Sequence, residues 1–257
     1  MTGTPTTDIP KTGTPNPAAG APAAPGTTAE GDDAGNPAPP TRHFDFSALS
    51  AEARYRLLAS TILPRPVAWV VTCDVDGGVN AAPYSFFNLF GADRPVVALG
   101  ILARPGRAKD TAANIRANGE FVVNLVPHAL AEAMNLTCVD APPEVDETAL
   151  AGLHTRPSIA VRPPRIAESP VGLECRMTHM LDTGPGQLLV VGEVLHAHYA
   201  AHVLTGDPAR PRVDGVALDL VGRMHGPTAY TRTRDLFDLH RPLWNGAAAG
   251  VASHHKE

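Results

Sequence analysis

Cysteine is scarce: the 257 residues hold Cys73, Cys138 and Cys175 and no others. Their odd number, wide spacing and lack of a CxxC pair exclude a disulfide-stapled secreted scaffold and a zinc ribbon, so reduced, mostly structural thiols in the cytoplasm are expected. No apolar run approaches the roughly 18 residues of a membrane span, and none is expected. The N-terminus has no basic region followed by an apolar stretch, so no signal peptide is expected. Positive charge is not in excess either: the formal net charge is −5 and the pI about 6.1. That argues against a nucleic-acid-binding surface, while a local basic pocket stays compatible with it. A GxGxxG stretch after a strand is missing too, so nothing marks a Rossmann-type dinucleotide site.

What is present is a 44% hydrophobic fraction, enough for a buried core in one domain of about 200 residues plus a tail. Residues 1–42 are dominated by Pro, Ala, Thr and Gly. Such a segment buries too little surface to offset its conformational entropy and is expected to be disordered, either as an inert extension or as a tether to a partner. Residues 43–244 are expected to form the folded domain, and 245–257 to fray.

The stretch Pro64–Asn88, PRPVAWVVTCDVDGGVNAAPYSFFN, organises the rest. Val67–Thr72 reads as an apolar strand, Asp76-Gly77-Gly78 as a tight turn and the return segment as a second arm ending in Ala82–Asn88. That end brings Tyr84, Ser85, Phe86, Phe87 and Asn88 together. Rings that flank a planar ligand beside hydroxyl and amide groups that orient it would make a binding site; two core phenylalanines between turn residues would look the same.

Upstream, Tyr55, Leu57, Leu58 and Ile62 have helical spacing, with Ser50 as N-cap and Pro64 as the stop. Pro95–Leu102 reads as a strand buried on both faces, and a basic loop then feeds a helix from about Lys109 to Asn118-Gly119, with Ile115 buried and Asp110 as its cap. Unpaired N–H groups and the helix dipole favour an anion there, which makes Arg104, Arg107, Lys109 and Thr111 phosphate candidates, against the alternative of a solvated basic loop.

Glu120–Val126 is expected to be a strand, His128–Thr137 a helix and Asp140–Thr148 a surface loop; the proline-rich run up to Ser169 is expected to be extended. Val171–Leu181 and Gln187–Ala197 form a second hairpin, with Leu173, Cys175, Met177, His179 and Leu181 on one face. The spacing of Cys175 and His179 is too long to assume a catalytic pair, and His196-x-His198 with His202 reads as edge-strand and surface histidines rather than a metal site. Residues 217–222 read as a strand leading to Arg223, His225 and the Gly226-Pro227 turn. Phe237–Trp244 is expected to pack as a closing segment.

PRPVAWV (64–70), APYSFFN (82–88), KDTAANIRANGEFVVN (109–124) and VGRMHGPTAYTR (221–232) together resemble the flavin reductase-like family of split-barrel FMN-binding proteins, over roughly Tyr55–Trp244. The resemblance implies a mainly β fold with α additions, an FMN-binding split β-barrel. It further implies FMN as cofactor, NADH or NADPH as reductant, a homodimer with flavin near the subunit interface, and a partner monooxygenase that receives reduced flavin. Direct action on a small substrate and a flavin-binding electron carrier are the alternatives. In this reading Arg65, Thr72 and Tyr84–Asn88 surround the flavin ring, Arg104, Arg107, Lys109 and Thr111 hold the phosphate, Arg223 lines the pocket, and His225 is the one candidate proton donor.

Overall fold

The computed structural model describes residues 39–103, 109–139, 141–142 and 145–241. The described residues divide into two units between Arg54 and Tyr55. In the first, Ser50 Oγ accepts the Ala53 N–H at 3.2 Å, the expected cap at the start of α1 (Ala51–Thr61). The chain continues through β1 (Arg65–Pro66), β2 (Ala68–Cys73), β3 (Val79–Tyr84), β4 (Phe87–Gly91), β5 (Val96–Leu102), α2 (Asp110–Asn118), β6 (Glu120–Leu125), α3 (Ala131–Leu136) and α4 (Glu147–Leu150). Then come β7 (Thr155–Arg156), β8 (Arg165–Ile166), β9 (Val171–Gly184), β10 (Gln187–Tyr199), β11 (Leu204–Thr205), β12 (Arg212–Val213), α5 (Gly215–Leu218), β13 (Val221–Arg223) and β14 (Tyr230–Arg232).

Seven strands form one antiparallel sheet in the order β3-β2-β6-β9-β10-β5-β4. Its centre is apolar on both faces because alternate residues of a strand point opposite ways. Thus Ala68 and Val70 of β2 join Phe121 and Val123 of β6 in one core cluster. Trp69 and Val71 join Val122 in another, which also holds Met134 of α3 and Ile166 of β8. Trp69 stays hydrogen-bonded in the core, its Nε1 donating to Thr137 Oγ1 at 2.9 Å.

Several expectations change. The face predicted for the second hairpin breaks at Thr178, where Val191 pairs with His179 but Gly192 already pairs with Met177. The extra residue is a β-bulge, and it reverses the alternation beyond it, so Met180 packs on the core while His179 and Leu181 are exposed. The strand expected over 217–222 starts only at Val221: Ala217 and Leu218 belong to the helix Gly215–Leu218, because Asp214 caps it by accepting the Val216 and Ala217 N–H groups. The stretch after Val145 does not stay on the surface: Glu147 and Thr148 are buried in α4, capped by Asp146. Leu236, Phe237 and Leu239 do not pack down, and Phe237 is 85% exposed. Residues 242–244, the remainder of that segment, lie outside the described residues, as do 1–38 and the tail 245–257.

Glu174 of β9 is fully buried, where a carboxylate persists only if it is paired. It accepts the Ile159 N–H at 2.7 Å, the Ala160 N–H at 2.6 Å and His198 Nε2 at 2.6 Å, pinning the loop before β8 to the second hairpin. Burial pushes its pKa up, but these donors outweigh burial and hold it below the usual range. A carboxylate with a depressed folded pKa adds stability above its unfolded pKa and loses it as pH falls through the folded value. Glu174→Gln is therefore expected to unfold about 2 kcal/mol more easily at neutral pH, with the gap from wild type closing toward pH 3, as urea unfolding at both pH values would read.

Candidate functional site

The end of the first hairpin is two strands, not one arm. β3 stops at Tyr84, Ser85 and Phe86 turn the chain, and Phe87 begins β4, which pairs with β5 instead. The turn is held where Gly100 of β5 donates its N–H to Phe86 O at 2.6 Å. Gly100 permits this approach because a Cβ there would stand 2.9 Å from Phe86 Cβ, inside contact distance.

Arg65 lies beneath the turn and is only 7% exposed. Its Nε donates to Ser85 Oγ at 3.4 Å, NH1 to the Ala59 carbonyl and to Ile62 O at 3.3 Å, and NH2 to Met224 O at 3.2 Å. The guanidinium also lies 6.0 Å from the centre of the Phe86 ring. One side chain thus ties the end of α1, the turn and the segment after β13 together, using the fork of donors a lysine lacks. Tyr84 and Phe87 pack on the first core cluster. Asn88 is exposed, its Oδ1 accepting the Leu89 N–H at 2.8 Å.

Beside β3 lies α2. Asp110 is not its cap: Lys109 occupies the N-cap position with extended φ/ψ and no side-chain cap bond, and Asp110 is the first helical residue. Gly119 closes the helix at φ 71°, where a side chain would be strained, and donates to Ile115 O. Thr111 is 1% exposed and its Oγ1 accepts from Asn80 Nδ2 at 2.9 Å. Thr72, fully buried on β2, accepts from Asn114 Nδ2 at 3.1 Å and from Asn80 Nδ2 at 3.4 Å. Asn118 Nδ2 donates to Cys73 O at 2.6 Å. Thr72 and Thr111 therefore join the hairpin to the helix from inside. Asn80 and Asn114 were not singled out from the sequence, and Asn118 only as part of the helix-end signal, although the four-residue spacing of Asn114 and Asn118 on a helix that packs against a strand was a usable signal. Arg104 and Arg107 lie outside the described residues.

Among the described residues two buried side-chain polar atoms lack a hydrogen-bond partner, Tyr84 Oη and Arg165 Nε. Burial pushes the Tyr84 pKa up to about 12; the Thr111 hydroxyl alongside offsets part of this, without reaching hydrogen-bond geometry, and Asp110 and Glu147 add to it. At neutral pH Tyr84 is thus a protonated donor with an unused hydrogen. Glu147 Oε2 accepts the Ala81 N–H at 3.0 Å and so satisfies the open edge of β3. Burial raises the Glu147 pKa against that bond, and Asp110 and Asp146 raise it further.

Arg223 is occupied in its own turn, donating to Gly226 O at 3.0 Å, Pro227 O at 2.6 Å and Ala229 O at 3.3 Å, and it lies 4.7 Å over the Tyr230 ring. His225 beside it is exposed. Cys175 is buried and burial pushes its thiol up to about 12, whereas His179 is exposed, so the two form no nucleophile–base pair. His196 is exposed, but His198 serves Glu174, and no metal-holding cluster occurs among the described residues. The site offers rings, a buried hydroxyl donor and a helix start preceded by a lysine, a set suited to a planar ligand with an anionic tail.

The flavin reductase like domain model matches residues 59–217. The chain belongs to this family. Its fold is the split β-barrel, as in a structure with a split barrel domain from Shewanella frigidimarina (22% identity, TM-score 0.67, covering 79% of this chain and all of that one). Nitrilotriacetate monooxygenase component B from Bacillus cereus is similar at 29% identity and TM-score 0.72, over 77% of this chain and 98% of its own. The 2-nitrobenzoate 2-nitroreductase of Pseudomonas fluorescens is 31% identical with TM-score 0.70, over 80% of this chain and 100% of its own. Family membership makes this flavin reductase-like protein a flavin-related oxidoreductase. No described helix is long and apolar enough to cross a membrane.

Proposed function

We propose that this flavin reductase-like protein binds FMN, accepts reducing equivalents from NADH or NADPH, and supplies reduced flavin to a separate flavin-dependent monooxygenase. The observation that carries the reading is the Tyr84 hydroxyl, a buried donor without a partner beside the start of α2. Such a group is costly unless a ligand completes it. Bound flavin supplies the hydride chemistry; the chain supplies placement and access. In this reading the Ser85–Phe86 turn, Phe87 and Asn88 flank the ring, and Tyr84 donates to the ligand. Arg104, Arg107, Lys109 and the first turn of α2 meet the phosphate, while Thr72, Thr111 and Arg65 hold those parts in place. Arg223 shapes the turn that presents His225, the proton donor candidate. The similarity to a monooxygenase component B supports the separate partner.

A homodimer is part of the reading. The edge strand β4 presents Leu89 and Phe90, 62% and 69% exposed, an apolar pair that a second copy would cover. Cys73, Cys138 and Cys175 are all free thiols, which fits the cytoplasm. The second reading, direct reduction of a small substrate, has specific support in the similarity to a nitroreductase.

An anaerobic absorption titration of the purified protein with NADH and then NADPH, with and without added FMN, tests both. Repeated turnover of free FMN is expected. A single bleaching of bound flavin without turnover would favour the direct-substrate enzyme or an electron carrier, and absence of flavin binding would remove the proposal.

A further inference from the structure

We propose that Asn80 is a positioning residue that sets the spacing between the ring end and the phosphate end of the site; this rests on the flavin reading above. Asn80 stands directly across the hairpin from Thr72, and its one amide nitrogen reaches two hydroxyls, Thr111 Oγ1 at 2.9 Å and Thr72 Oγ1 at 3.4 Å. Both threonines are buried, so water does not replace a lost bond without opening the packing. Thr111 is the second residue of α2, next to the helix start to which the flavin reading assigns the phosphate.

Tyr84 lies four residues further along β3, on the same side of the strand as Asn80. The turn that follows it carries Ser85 and Phe86. The strand that leads into the ring-binding turn and the helix that begins at the phosphate are thus fastened to each other at Asn80. Asn114 reinforces the joint through Thr72, and Asn118 anchors the far end of α2 to Cys73 O. A ligand that spans both ends needs their separation held to a fraction of an ångström, and one lacking the phosphate does not.

The discriminating measurement is the affinity of the full-length apoprotein for FMN and for riboflavin, read by quenching of flavin fluorescence. Asn80→Ala is expected to weaken FMN about tenfold, from the loss of one to two buried hydrogen bonds, with riboflavin changed less than about twofold. Asn114→Ala removes a donor to Thr72 only. It is expected to show the same FMN-selective loss at about threefold, and it carries the test should Asn80→Ala not fold. Equal weakening of both flavins, or no change in either, would show that Asn80 serves only general packing and overturn the inference. Wild-type protein that binds neither flavin would instead defeat the flavin reading on which it stands.

Discussion

Arg65→Ala is expected to lower the unfolding free energy by about 3 kcal/mol, among the largest effects of any single replacement in this chain. The guanidinium is almost fully buried and bonds to three backbone carbonyls, those of Ala59, Ile62 and Met224, besides Ser85 Oγ. Truncation strands those acceptors and removes the cation beside the Phe86 ring. Because the ties run to the end of α1, the turn and the segment after β13, the three come loose together rather than singly. Arg65→Lys is expected to recover less than half of the loss, since one ammonium does not span acceptors that a planar fork reaches. Urea unfolding of the three proteins at neutral pH decides the matter. A loss for Arg65→Ala below about 1 kcal/mol, the size of an exposed interaction, would refute the buried-clamp account.

The double replacement Arg107→Ala with Lys109→Ala is expected to weaken FMN binding by about 100-fold while leaving riboflavin within about threefold. Lys109 immediately precedes α2, where the helix dipole and unpaired N–H groups already favour an anion. Two charge-assisted contacts at about 1.5 kcal/mol each account for the size, and the dependence of FMN affinity on salt should flatten in the variant. General loss of surface charge would shift both flavins only slightly and equally. FMN affinity unchanged in the double variant would remove the phosphate assignment, and with it the orientation of the ligand in the site.

Much of the fold was legible because it depends on local rules. Alternating and continuous apolar runs identified β2, β5 and β6, and Asn118-Gly119 marked the end of α2 where a left-handed φ is needed. Pairing across space was less legible. Nothing in Ala82–Asn88 says that the chain leaves its hairpin after Tyr84 to pair with β5; the Gly100–Phe86 contact decides that from a distant strand. The bulge at Thr178 is likewise a compromise between β9 and β10, invisible to either strand alone.

The candidate site divides along the same line. Sequence alone pointed to the PYSFFN stretch and the KDT helix start as candidates, because each carries its chemistry in consecutive residues. It also determined the family, since the spacing of motifs along a chain needs no coordinates. Only the tertiary structure decided their roles. Arg65, Thr72 and Thr111 are turned inward to fasten the frame, and the unremarked Asn80 joins its two halves. The physical reason is that a side chain's role follows from its burial and its partners. Those partners come from elements tens of residues away, where no local periodicity reaches.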